Sequence, residues 1–234
     1  QDFAAADGPV FVSSADLNGD GKLDLTVENF NSNTVSVLLN TTDPGLATPG
    51  FAVKQDVQTG SNPRSVASGD FNRDGKLDLV VANSVSNTVS VLLNTTAPGS
   101  ATSTFAPKQD FATGTGHVFV TVADLNRDGK LDLAVANINS NTVSVLLNTT
   151  APGAATPNFA PKQDFGTGDA PLSIAVGDLN GDGKLDLVVA NLIATVSVLL
   201  NTTTPGANTS SFAVKQDFAT GDGPRNGSLT QKKF

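Results

Sequence analysis

Apolar and polar residues alternate with a period of two along most of this chain, in runs of five to seven residues. Ser65-Val66-Ala67-Ser68-Gly69, Leu77-Asp78-Leu79-Val80-Val81-Ala82-Asn83 and Thr88-Val89-Ser90-Val91-Leu92-Leu93-Asn94 follow one another, separated by clusters of Gly, Asp, Asn and Ser. A fourth run, Phe105-Ala106-Pro107-Lys108-Gln109-Asp110-Phe111, comes after a Thr/Pro/Gly/Ala linker. Alternation bounded by turn residues and rich in β-branched side chains predicts strands. No stretch sustains a 3.6-residue apolar period, so almost no helix is expected. Val89 to Leu93 ends apolar on both faces, which predicts a strand covered on both sides.

The set of four runs recurs. The loop between the first and second run starts at Asp16, Asp70, Asp124 and Asp178, with successive copies 54 residues apart. Asn-Thr-Val-Ser-Val-Leu-Leu-Asn-Thr-Thr stands unchanged at 33–42, 87–96 and 141–150. In the fourth copy the turn before it is one residue shorter (Leu192-Ile193-Ala194) and the segment resumes at Thr195. A unit of this size cannot bury a core alone and must stack on its neighbours. Four short antiparallel strands per unit predict an all-β fold, a β-propeller of four-stranded blades. A solenoid would have shorter coils, and a row of sandwiches would need more strands per core. Residues 1–223 form the repeat array, and 224–234 are expected to be a poorly ordered C-terminal tail. The outer-strand motif Lys-Gln-Asp closes each unit (54–56, 108–110, 162–164, 215–217), and Gln1-Asp2-Phe3 matches it once more. The sequence therefore predicts four blades plus an extra terminal outer strand. Starting at Gln1 rather than Met, the chain is expected to be a processed or trimmed product.

Composition narrows the function. Cys, Met, Trp and Tyr are absent and His117 is the single histidine, so disulfides and thiolate chemistry are excluded and the general-base repertoire is thin. Near-identical blades also argue against one blade carrying a unique catalytic site, and no enzyme is expected. No apolar run approaches the ~18 residues that span a bilayer. Lys and Arg are few and form no basic stripe, which argues against nucleic acid. The net charge of −8 has a local origin, because 12 of the 22 acidic residues lie in the four recurring loops.

Those loops, 16–24, 70–78, 124–132 and 178–186, read Asp-x-Asn-x-Asp-Gly-Lys-Leu-Asp. Ca²⁺ takes six to eight oxygen ligands, which closely spaced carboxylates and a backbone carbonyl supply. The expected ligands are Asp16, Asn18, Asp20, Asp24 and the carbonyl of Lys22. The same roles fall to Asp70, Asn72, Asp74, Lys76 and Asp78, to Asp124, Asn126, Asp128, Lys130 and Asp132, and to Asp178, Asn180, Asp182, Lys184 and Asp186. Glycine at position six (Gly21, Gly75, Gly129, Gly183) suits a tight reversal around an ion. Four Ca²⁺ per chain would cancel the net charge. An EF-hand is excluded, since its twelfth position is Glu between helices whereas here Val27, Val81, Val135 and Val189 stand in strands. A metal-free Asx-rich turn is the plain alternative.

The pattern Asp-x-Asn-x-Asp-Gly-x-x-Asp between two strands resembles the FG-GAP/VCBS-type repeats of integrin α-subunit propellers and related bacterial surface proteins. The resemblance covers residues 1 to about 223, although no Phe-Gly-Gly-Ala-Pro segment is present and integrin-like propellers usually have seven blades. It implies a secreted or surface-displayed, calcium-stabilised module for adhesion, protein interaction or assembly. A multivalent lectin-like binder and an accessory domain of a polysaccharide-active enzyme are the alternatives. A protein or glycan ligand and homo-oligomerisation into a larger ring are the expected partnerships.

Three weaker signals remain. Asn40, Asn94, Asn148, Asn201, Asn208 and Asn226 fit the N-glycosylation pattern, though turn hydrogen bonding explains most of them as well. Lys-Gln-Asp reads as charge decoration of an edge strand. Among the varied loops at one mouth of the propeller, Arg64 and His117 are the candidate ligand-binding residues.

Overall fold

The computed structural model describes residues 2–221, with only the backbone of His117 and Val118. The tail predicted at 224–234 and the last two residues of the 1–223 array lie outside the described residues. The first blade is β1 (Pro9–Ala15), β2 (Asp24–Asn29), β3 (Thr34–Leu38) and β4 (Gln55–Gln58); the second is β5 (Pro63–Gly69), β6 (Asp78–Asn83), β7 (Thr88–Leu92) and β8 (Gln109–Ala112). The third is β9 (His117–Ala123), β10 (Asp132–Asn137), β11 (Thr142–Leu146) and β12 (Gln163–Gly166); the fourth is β13 (Pro171–Gly177), β14 (Asp186–Asn191), β15 (Thr195–Leu199) and β16 (Gln216–Ala219). Each blade is an antiparallel meander in chain order, and these are the blades of a β-propeller. Among the described residues there is no helix.

Register follows from the side-chain pattern. Val12 faces Val27, and the same pair recurs as Val66–Val81, Val120–Val135 and Ile174–Val189. Each first strand skips one residue near its start, at Val10, Arg64, Val118 and Leu172. Such a bulge locally bends and twists the strand.

The extra terminal strand does not form. Residues 2–8 carry no strand, and β16 is the fourth outer strand of four. An outer strand needs the third strand of its own blade, as β4 pairs β3, and among the described residues no strand pairs with residues 2–8. Phe3 packs edge-on against Phe51 instead, with ring centroids 4.9 Å apart.

The chain divides into two units, Gln1–Ala112 with Thr150–Asn158, and Thr113–Thr149 with Phe159–Phe234. In the first, the rear face of blade one (Val35, Val37, Leu39) packs on the front face of blade two (Val66, Leu79, Val81). In the second, Val143, Val145 and Leu147 pack in the same way on Ile174, Leu187 and Val189. Each such side chain contributes roughly 1.5–3 kcal/mol when fully buried. These joints hold the loops described next.

Candidate functional site

Each Asp-rich loop joins the first strand of a blade to the second, and backbone amides orient its carboxylates. In blade one, Asp16 accepts the N–H groups of Asp20 (3.2 Å) and Gly21 (2.9 Å), and Asp20 accepts that of Lys22 (2.9 Å). Asp24, fully buried, accepts Leu17 N–H and Asn40 N–H, both at 2.8 Å. Asp70 and Asp78 repeat the pattern, as do Asp124 and Asp132. In blade four, Asp178 accepts Gly181 N–H and Gly183 N–H, and Asp186 accepts those of Leu179 and Asn201. Position six is left-handed in every copy, φ 84° at Gly21, 85° at Gly75, 82° at Gly129 and 81° at Gly183, so only glycine turns there without strain.

Burial pushes the Asp24 carboxyl above its ordinary pKa, against the opposing amide bonds from Asn40 and Leu17 and with the like charges of Asp20 and Asp16. The same causes raise Asp78 to about 6 and Asp132 to about 7. Among the described residues no three acidic or histidine side chains converge as a ready-made metal cluster. The amides, rather than one common point, set the carboxylate directions. Carboxylate oxygens keep further lone pairs beyond one amide bond each. The donors are all oxygen, as a hard divalent cation requires.

The first three loops are also gripped from the following blade. Asn18 accepts Gly99 N–H at 2.7 Å through its carbonyl, and its side-chain amide donates to Ser100 O at 3.1 Å. Asn72 meets Gly153 and Ala154 identically, and Asn126 meets Gly206 and Ala207. The strand-end asparagines complete the grip: Asn94 Nδ2 donates to Leu17 O (2.7 Å) and Leu77 O (2.9 Å), and Asn201 Nδ2 to Leu125 O and Leu185 O. Between the loops of blades one and two lies a cleft of ≈ 300 Å³, bordered by Asp16, Asn18, Gly75, Lys76 and Pro98. It presents no aromatic platform on which a sugar could stack.

A second polar system runs through every blade. Ser36 Oγ accepts the side-chain amide of Asn29 (2.8 Å) and donates to Asp56 (2.6 Å), which pairs with Lys54. The blade-two equivalents are Asn83, Ser90, Asp110 and Lys108, and there Ser90 Oγ also accepts Gly60 N–H. Burial raises the Asp56 pKa, but the bonds from Lys54 and Ser36 outweigh it and hold the group below its ordinary value. The Lys-Gln-Asp motif is thus more than edge decoration, because its Asp anchors a buried serine.

The FG-GAP-like repeat model matches residues 16–81, 70–135 and 128–189, each match containing at least one complete loop. The chain belongs to the FG-GAP-like repeat family. No curated protein matches it. Among solved structures these FG-GAP-like repeats are similar to the crystal structure of BBS1N in complex with ARL6DN, soaked with lead, at 16% identity and a TM-score of 0.54. The match covers 94% of this chain but 59% of that one, and shows a shared fold.

The speculative ligand residues are differently placed. Arg64, at the bulge of β5, lies over the Phe30 ring with its guanidinium carbon 4.9 Å from the centroid, and its Nε donates to Ser84 Oγ. His117 starts β9, its backbone opposite Asn137; its side chain lies outside the described atoms. Arg64 and His117 belong to separate units. Asn94, Asn148 and Asn201 are buried in this FG-GAP-like framework, so a glycan has no access to them; Asn40 is half-buried and donates to Leu23 O. Asn208 is exposed, and Asn226 lies outside the described residues. The grip on the preceding loop was missed from sequence, although the unchanged Asn-Thr-Thr at each strand end was its visible signal.

Proposed function

We propose that this chain is an extracellular, calcium-stabilised, non-catalytic propeller module for protein interaction and adhesion. The single observation behind it is the fourfold loop, in which three carboxylates and one side-chain amide hold the same positions in every blade. Asp16, Asp20 and Asp24, the Asn18 side chain and the Lys22 carbonyl would hold one Ca²⁺, and the matching residues of the other loops three more. When bound, calcium would neutralise mutually repelling carboxylates and pin the reversal at position six. The residues themselves orient the loop, exclude water at Asp24 and tie it to the next blade. The structural neighbour BBS1N was obtained in complex with ARL6DN, which supports protein docking as the coarse role. Because Ca²⁺ binds only the folded loop, a free concentration ~100-fold above Kd adds about 2.7 kcal/mol per site. Melting followed by circular dichroism should therefore shift upward with Ca²⁺ and fall back with chelator. A transition unmoved by both refutes the metal role.

A further inference from the structure

The grip on loop three also fixes the residue that follows the gripped asparagine. Gly206 N–H donates to the Asn126 carbonyl at 2.7 Å, and the Asn126 side-chain amide donates to Ala207 O at 3.0 Å. Arg127 comes next, exposed and left-handed at φ 57°. Loops one and four carry Gly19 (φ 67°) and Gly181 (φ 76°) at this position. The turn itself thus needs no side chain, and an arginine there is strained. Its guanidinium reaches loop four, which lies in the same unit. Nη1 stands 3.4 Å, and Cζ 3.8 Å, from the point where a Cβ on Gly183 would be. Gly183 is the position-six glycine whose N–H orients Asp178 at 2.8 Å, and Asp182 directly precedes it. The Lys184 N–H, then the Asn180 amide and the charges of Lys184 and Arg127, hold the Asp182 carboxyl below its ordinary pKa despite some desolvation.

We propose that Arg127 is a tethered cation set against loop four, where it offsets part of the negative charge that Asp178, Asp182 and Asp186 offer a divalent ion. The proposal rests on the calcium reading above and adds a regulating residue to it. A guanidinium is always charged and carries donors only, so it cannot itself ligate a cation. Arg127 therefore acts on loop four by repelling an incoming ion and by attracting the carboxylates that would hold it. A double charge meeting a single one across a solvated surface changes affinity several-fold at low ionic strength, and salt screens the effect. Loop four accordingly needs more calcium to fill than its own ligands dictate. Because Arg127 belongs to loop three and acts on loop four, the two loops are coupled although they share no ligand. The grip on Asn126 is what holds the coupling residue in place.

Calcium titration of the whole chain, followed by two-dimensional ¹H–¹⁵N NMR, tests it loop by loop. The amides of Gly21, Gly75, Gly129 and Gly183 report one loop each. Arg127→Gln removes the charge and keeps the strained turn. It should lower the calcium midpoint of Gly183 by roughly 3–10-fold at low ionic strength, while the midpoint of Gly129, in the loop that carries the substitution, stays in place. Adding salt to ~0.5 M should close most of that gap. Arg127→Lys keeps the charge and should keep the parent midpoint. The proposal is overturned, with the calcium reading intact, if Gly183 titrates alike in Arg127→Gln and the parent, or if Gly129 moves as far as Gly183. A gap that survives salt, or a Lys variant that behaves like Gln, overturns it as well. Four glycine amides that ignore calcium altogether overturn the calcium reading, and this proposal falls with it.

Discussion

Glu28 should cost this protein stability at neutral pH, and removing its charge should return it. Where the other blades have Ala82, Ala136 and Ala190 in the middle strand, blade one has a glutamate with no exposed surface. Neither carboxyl oxygen has a hydrogen-bond partner on any other described residue. Burial raises its pKa to about 8 from 4.5 and outweighs the opposing effect of its own backbone amide. An acid whose folded pKa is raised stabilises the fold relatively most below its unfolded pKa, and that advantage is lost as pH climbs towards the folded pKa. The affected window runs from pH 4.5 to about 8. At pH 7 the unfolded carboxyl is ionised and the folded one mostly protonated. Some 2.5 units at 1.36 kcal/mol each put the penalty at about 3 kcal/mol, against about 1 kcal/mol at pH 5. Urea unfolding followed by far-ultraviolet circular dichroism at both pH values, in Glu28→Gln and Glu28→Ala, isolates this contribution. Both variants should lack it, so their stability advantage over the parent grows by about 2 kcal/mol between pH 5 and pH 7. Gln keeps the volume and Ala matches the other blades, so the shared slope, not either offset, is the signal. Parallel pH profiles for parent and variants would sink the argument.

Three further outcomes follow from the same structure. Ser90→Ala removes the bonds that Ser90 Oγ makes with Gly60 N–H, the Asn83 amide and Asp110 and should lower unfolding free energy by about 2–3 kcal/mol in urea titration. Asn94→Ala removes two donations to the carbonyls of Leu17 and Leu77; a cost of about 2 kcal/mol is expected in the same titration, and a neutral variant would show that the grip is ornamental. Ala194, at φ 41° where the other blades place asparagine at φ 53–57°, should gain about 0.5–1 kcal/mol on substitution by Asn, read as a higher melting temperature.

The strands were legible because the period-two pattern survives in every copy, and Val66, Val81 and Val91 landed on the faces that alternation assigned them. Loop position six was equally readable, since a recurring glycine signals a left-handed turn. Two features escaped. Gln1-Asp2-Phe3 looked like a strand because the motif encodes a face, whereas a strand also needs a neighbour to pair with. Asn72 was read as a cation ligand alone, yet its contacts come from residues 81 and 82 positions further on, at Gly153 and Ala154. Sequence periodicity reports which way a side chain points, but not which distant turn will meet it.

The grip always runs backwards, from a turn to the loop of the blade before it, so the repeat array has a polarity that its near-identical units conceal. Rigidity is inherited from the turn that follows, and among the described residues the exposed Asn180 meets no such turn. Amides around Asn180 should accordingly exchange fastest among the four loops.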